Sequence, residues 1–337
     1  MLRVFRFWLC VCLLSATPRL HSANAEEPAD AVIQQARALI DAGRLGRAVG
    51  VVEQGLASDP TNLQLLLMHV DYLHQLTLDD LDQEKFEAAG KQASRAAGSL
   101  QQLVSLKETL KPADRQFLQD VHYDFACVNA LQSQPAEAIK SLRQAVAWGF
   151  TGAEDLEQDE DLAVLRNSQE FRALLADVKG KARTEILAAL NRFEAYPFVF
   201  SAQNVLGGEI SSKGLEGKLV IVDFWGTWCP PCRREIPHLI ELRKKYSERG
   251  LEVVGLSYEN DTDEAATKLV QGFVEKNGVN YPCVIGTEAM QSQVKVFEGF
   301  PTLLVIDRRG RVRLSLSGYH PPYQLEAVVE ALLAEKN

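Results

Sequence analysis

Apolar positions fall into two regimes along the chain. Up to about Arg192 they follow helical spacing, whereas beyond it they gather into short, nearly continuous runs broken by turn residues. Two such runs, Leu219–Trp225 and Leu251–Ser257, read as buried strands. The stretch between them, 229–246, has helical character, so the crossover rule makes these strands parallel neighbours. A further helix is expected near 264–276. Runs at 303–306 and 312–316 form a hairpin across Asp307-Arg308-Arg309-Gly310, with a glycine where the turn needs one. An amphipathic helix over 324–334 follows.

The first half contains degenerate repeats. Residues 36–48, then 51–56 and Asp59-Pro60, resemble a tetratricopeptide repeat, in which small residues let paired helices approach and Asp-Pro ends the second helix. Residues 126–146 give a second match, and 149–171 resemble the capping segment of such arrays. The middle, 62–112, is helical but poorly patterned. Repeats of this kind stack into a solenoid whose concave face holds a protein or peptide partner, the alternative being a simple spacer. The acidic run 154–161 reads as a solvated face.

Ahead of the helices, Arg3 and Arg6 precede an apolar stretch at 7–16, and Ala23-Asn24-Ala25 forms a small-x-small site. That pattern is a signal peptide cleaved after Ala25, with an uncleaved membrane anchor as the alternative. The chain is therefore expected to be exported to the periplasm. The expected organisation is a signal peptide over 1–25, a helical repeat domain over 26–192 and an α/β domain over 193–337.

Chemistry concentrates at Trp-Cys-Pro-Pro-Cys (228–232), directly after the first strand. Cys229 falls where a helix begins, and the positive end of that helix stabilises a thiolate, the form that attacks disulfides. Pro230 and Pro231 suit a first helical turn, whose N–H groups have no helical partners. Neither proline can donate to sulfur, so donors must come from Cys232 onward. Pro237 lies inside the same helix and should kink it. A zinc site is the other use of this spacing, but it needs a second ligand pair, and no other Cys-x-x-Cys or nearby His-x3-5-His exists. No metal or cofactor is therefore expected.

The segments Val-Asp-Phe-Trp-Gly-Thr-Trp-Cys-Pro-Pro-Cys-Arg-Arg-Glu-Ile-Pro (222–237) and Gly-Phe-Pro-Thr-Leu-Leu-Val-Ile-Asp-Arg-Arg-Gly (299–310) resemble the thioredoxin superfamily, and within it the TlpA/ResA-like periplasmic reductases. The resemblance runs from about Tyr196 onward. It implies a thioredoxin fold, a mixed central sheet flanked by helices, after the helical region. It also implies that Cys229 and Cys232 form a redox-active disulfide, with Cys229 the exposed attacking sulfur and Cys232 the buried resolving one. Pro301 would be the cis-proline facing the disulfide, and Asp223 the buried acid that takes the proton from Cys232. Substrate contacts are expected from Trp228, Pro230, Pro231, Phe300 and Thr302. Trp225 is as compatible with plain packing as with a role at the site. The helix near 264–276 would be the insertion that separates TlpA-like domains from plain thioredoxin.

Cys127 and Cys283 read as buried packing residues. A net charge of −9 argues against nucleic acid as a partner, and 46% hydrophobic residues in 337 can fill two cores. A peroxiredoxin reading fails because Thr227 stands only two residues before Cys229. Three functions remain: a thiol–disulfide oxidoreductase acting on protein substrates as a reductant, a DsbA-type oxidase, and a non-enzymatic scaffold or chaperone. Direction follows from the intervening prolines, which carry no charge or donor, while Arg233 and Arg234 should project to solvent. The thiol of Cys229 should then titrate in the upper part of the active-site range, at about 6–7.5, which points to a reductant. Such a protein needs an external electron donor, for which a membrane thiol reductase is expected. Cytochrome c maturation is the use the resemblance implies most readily.

Overall fold

The structure, a computed structural model, describes residues 28–260 and 263–335. The signal peptide expected over 1–25, with Cys10 and Cys12, lies outside the described residues. The chain divides into two compact units, one ending at Gln132 and the other beginning at Ser133, in the turn between two helices.

Five helices form the described part of the first unit: α1 (Pro28–Asp41), α2 (Leu45–Ser58), α3 (Leu63–Asp82), α4 (Phe86–Ser105) and α5 (Pro112–Leu131). Each packs on its predecessor in sequence, and α5 also touches α3, an arrangement compatible with a repeat array. Small residues sit where the helices meet. Ala48, Ala89, Ala96 and Ala126 are fully buried, and a Cβ on Gly55 would strike Val32 at 2.8 Å. Two buried histidines find polar partners: His74 lies 2.8 Å from Asp124, and His69 lies 2.8 Å from Ser99. The poorly patterned middle of the repeat region is thus fully helical, its core drawn from Leu65, Leu73, Leu100 and Leu103.

The second unit begins with α6 (Pro135–Trp148), α7 (Ala153–Gln158) and the long α8 (Gln169–Arg192). Then follow β1 (Tyr196–Pro197), β2 (Ser201–Gln203), β3 (Glu209–Ser211), β4 (Leu219–Trp225), α9 (Pro230–Tyr246), β5 (Leu251–Ser257), α10 (Asp263–Asn277), β6 (Cys283–Ile285), α11 (Glu288–Gln291), β7 (Thr302–Ile306), β8 (Arg311–Ser317) and α12 (Pro322–Ala334). Six strands make one mixed sheet in the order β1-β8-β7-β4-β5-β6, while β2 and β3 form a separate hairpin. β5 runs parallel to β4 and β6 to β5, while β7 is antiparallel to both β4 and β8; the parallel β4–β5 pair and the β7–β8 hairpin are those the apolar runs and the Asp307–Gly310 turn lead one to expect. At that turn Gly310 takes φ +73°, and the Asp307 carboxylate accepts from the N–H groups of Arg309 and Arg311.

The period-two alternation of β4 decides which side chains reach the site. Leu219, Ile221 and Trp225 join a core shared with α8, α9 and α12, while Val220, Val222 and Phe224 join the opposite one with Phe198, Phe200 and Met290. Asp223 therefore points with Ile221 and Trp225, toward α9. A register shift between Val305 and Ile306 lets β8 place Leu314 and Leu316 on the α9 side but Val312 on the other. On the α9 side the core also takes Ile186 and Leu190 from α8, which packs along α12.

Candidate active site

Cys229 caps α9. Its N–H donates to Gly226 O at 3.1 Å, and its sulfur accepts the Cys232 N–H at 3.3 Å, the first donor that the two prolines leave available. Cys229 and Cys232 are joined in a disulfide. Pro230 and Pro231 occupy the first turn and are exposed, and α9 continues through Pro237.

The expectation of an exposed attacking sulfur needs correction, because Cys229 is 2% exposed and Cys232 1%. With the sulfurs joined, both lie in the core cluster that includes Trp225, Ile236 and Leu303. What faces solvent beside them is Trp228, half exposed. Its indole folds back over Gly226 and donates to Tyr258 O at 2.8 Å, and its ring meets Phe300 edge-on at 5.5 Å. Phe300 in turn meets Tyr258 at a tilt and Phe297 edge-on, and the Phe300–Pro301 peptide is cis. Gly226 is required for the fold of Trp228, since a Cβ there would lie 2.6 Å from the indole nitrogen and 3.0 Å from Tyr258 O. The turn is fixed from below by Glu259, whose carboxylate accepts from Thr227 N–H, Thr227 Oγ1 and Ser257 Oγ at 2.7–2.8 Å. Glu259 carries no sequence signal, because it lies after β5 and meets Thr227 only in the fold.

Thr302 is also corrected as a substrate contact. It alternates onto the face of β7 opposite α9, is fully buried, and donates its hydroxyl to Gly299 O at 2.7 Å. Trp225 is fully buried against Phe273 and is a packing residue. Cys127 and Cys283 are both buried in the positions expected of them. Beside Pro230 a groove of about 380 Å³ opens between α9 and α10, lined by Pro230, Arg233, Ile240 and Phe273 among others.

Under the disulfide lies a second carboxyl that the motif conceals. Glu235 follows Cys232 by one helical turn and is fully buried, as Asp223 is on the facing strand. Neither Asp223 oxygen has a hydrogen-bond partner among the described residues. Glu235 accepts one bond, from His320 N–H at 3.0 Å. Burial pushes both carboxyls well above the usual carboxylate range, and the charge of Glu235 raises Asp223 further. Tyr281 and Cys283 share the enclosure, and both are driven up by burial and by Asp223. A signal for Glu235 exists in the sequence: Cys232, Glu235, Ile236, Leu239 and Leu242 form one apolar stripe at helical spacing, with the glutamate inside it.

A profile described as AhpC/TSA family matches residues 195–315. The "Thiol-disulfide oxidoreductase ResA" of Bacillus thuringiensis (strain Al Hakam) is 34% identical over 133 residues, covering 40% of this chain and 74% of that protein. The chain belongs to the ResA-like thiol-disulfide oxidoreductases. A second ResA, from Halalkalibacterium halodurans, is 32% identical over the same shares of the two chains. The crystal structure of a thioredoxin-family thiol:disulfide interchange protein from Chlorobium tepidum TLS aligns at 31% identity and TM-score 0.37, over 42% of this chain and all of that one. The oxidoreductase thus joins a thioredoxin-like domain to a helical N-terminal region compatible with tetratricopeptide-like repeats. Among the described residues no helix is long and apolar enough to cross a membrane.

Proposed function

We propose that the enzyme is an exported protein-disulfide reductant working through Cys229 and Cys232. In the dithiol form, the Cys229 thiolate attacks a client disulfide, forming a mixed disulfide and releasing one client thiolate. Cys232 then loses its proton to the buried Asp223–Glu235 pair and attacks Cys229 Sγ. The second client thiolate leaves, and the Cys229–Cys232 disulfide forms. The client gains two electrons and the enzyme loses two. An external dithiol donor, which we assign to a membrane thiol reductase, returns them.

The observation that carries the direction is the poverty of stabilisation around Cys229. Its sulfur accepts one backbone N–H, from Cys232, and the residues between the cysteines are two prolines. A strong oxidant stabilises its thiolate heavily, and this arrangement supplies little beyond the end of α9. Phe300, Trp228, Pro230 and Pro231 offer the apolar surface beside the disulfide for an extended client segment, next to Pro301. The repeats of the first unit are assigned to holding clients or partners, and residues 193–337 to the catalytic domain. The signal-like pattern of the first 25 residues supports export to the periplasm. A redox titration against glutathione tests the direction. A potential close to that of thioredoxin, about −270 mV, is expected, and one near about −120 mV would make the enzyme an oxidase.

A further inference from the structure

The acidic run 154–161 is only partly the solvated face its composition suggests. Glu154 on α7 is turned inward, its side chain 11% exposed, and meets the active-site helix. One carboxylate oxygen pairs with the Arg234 guanidinium, and the other accepts the Tyr319 hydroxyl at 2.6 Å. Arg234, half exposed as expected of a residue projecting to solvent, also lies 3.9 Å over the Tyr319 ring. The Tyr319 oxygen is also 3.1 Å from His238 Nε2.

The residues on either side of Tyr319 reach the redox site. Gly318 N–H donates to Pro301 O at 2.8 Å, and His320 N–H donates to Glu235 at 3.0 Å. Three consecutive residues therefore tie together the Pro301 loop, the α7 carboxylate and the buried carboxyl beneath Cys232. The His320 ring fixes the far side by meeting Gln324 of α12 at 3.0 Å.

We propose that Glu154 is a positioning residue that holds the 318–320 segment against α9, and with it the His320 N–H on Glu235. A donor aimed at a carboxylate favours its ionised form. Loosening that donor should make Glu235 a weaker acid. Glu235 is faced by Asp223 from β4, by Tyr281 just ahead of β6 and by the His320 backbone, with Cys232 one turn back on its own helix, while Cys283 of β6 faces Asp223. Arg234 and His238 face Glu154 on the outer side of α9. The link ties the helical region ahead of the sheet to the proton step of exchange, and that consequence rests on the reductant mechanism proposed above.

The test is a carbon-13 carboxyl titration of Glu235 in the full chain in its disulfide form, where neither active-site cysteine titrates, with Glu235→Gln identifying the signal. Glu154→Ala and Tyr319→Phe should each raise the midpoint by about half a unit or more, a threefold fall in the acid dissociation constant. His320 amide exchange should accelerate in both. Tyr319→Phe keeps the Glu154–Arg234 pair, so it decides the matter if Glu154→Ala folds poorly. Glu157→Ala, on the same short helix as Glu154, removes an ion pair to Lys179 of α8 and should leave the midpoint unchanged. Midpoints unmoved in both Glu154→Ala and Tyr319→Phe would overturn the inference, as would an equal shift in Glu157→Ala. If Glu235→Gln instead exchanges thiols with the wild-type pH profile, the proton role of Glu235 falls while the titration still decides the positioning.

Discussion

Asp223 and Glu235 are two carboxyls buried side by side, one on β4, which leads into the redox motif, and one on α9, which carries Cys232. In a low-dielectric enclosure two adjacent acids do not both ionise readily, so the pair retains a proton at pH values where an exposed carboxyl has lost it. A half-protonated pair one helical turn from Cys232 can accept the thiol proton and return it.

Asp223→Asn should slow resolution of mixed disulfides at neutral pH by about a hundredfold, within the span typical of general-base catalysis, while leaving the first attack by Cys229 nearly unchanged. Stopped-flow kinetics that separate the two steps provide the measurement. Equal slowing of both steps would point to a packing defect.

The same substitution should alter stability in the opposite sense. The folded-state carboxyl is raised above its unfolded value, so between the two values the folded chain binds more protons and stability falls as pH rises. Asp223→Asn removes that loss. Its thermal midpoint should exceed the wild type above pH 7 and converge with it near pH 4.

Gly226→Ala should destabilise the protein by about 1–3 kcal/mol and expel the Trp228 indole from Tyr258 O, because the added methyl would occupy the space the ring uses. Denaturant melts and a change in Trp228 fluorescence would record both effects. A fully stable variant with an unmoved indole would contradict the close contact.

A chain beginning at Ser133 should keep insulin reduction within about twofold of the full protein, as compact domains of this size fold alone. Cutting after Arg192 is different. It removes Ile186 and Leu190, both buried in the core with α12, and losing large buried aliphatics costs about 2–5 kcal/mol each. The shorter chain should melt earlier, by calorimetry, than the one beginning at Ser133.

What the sequence reveals and what it hides follow from the range of the interactions. β4, β5, the cap at Cys229 and the Asp307–Gly310 hairpin are written in local patterns and appear where expected, β4 and β5 with identical bounds. The β2–β3 hairpin was not foreseen, since Ser-Ala-Gln and Glu-Ile-Ser are short and polar. α8 has the helical spacing of the repeats before it, and nothing local says that its apolar stripe ends in the α9-side core. At the site, Cys229 and Cys232 stand out by spacing alone. Glu235 hides behind Arg233 and Arg234 because a charged triplet at a helix start resembles a solvated surface, and only the phase of the α9 stripe sets it inside. The proximity of Thr302 in sequence to Pro301 gives no hint that strand alternation turns it away from the site.

The most direct test of the exchange mechanism is the covalent intermediate itself. Cys232→Ala, expressed as the full chain in its native host, has no resolving thiol beside Cys229 to release a client. Non-reducing gels should then display reducible higher-mass adducts through Cys229, absent from Cys229→Ala. Folded Cys232→Ala that stays free of adducts would contradict the dithiol mechanism.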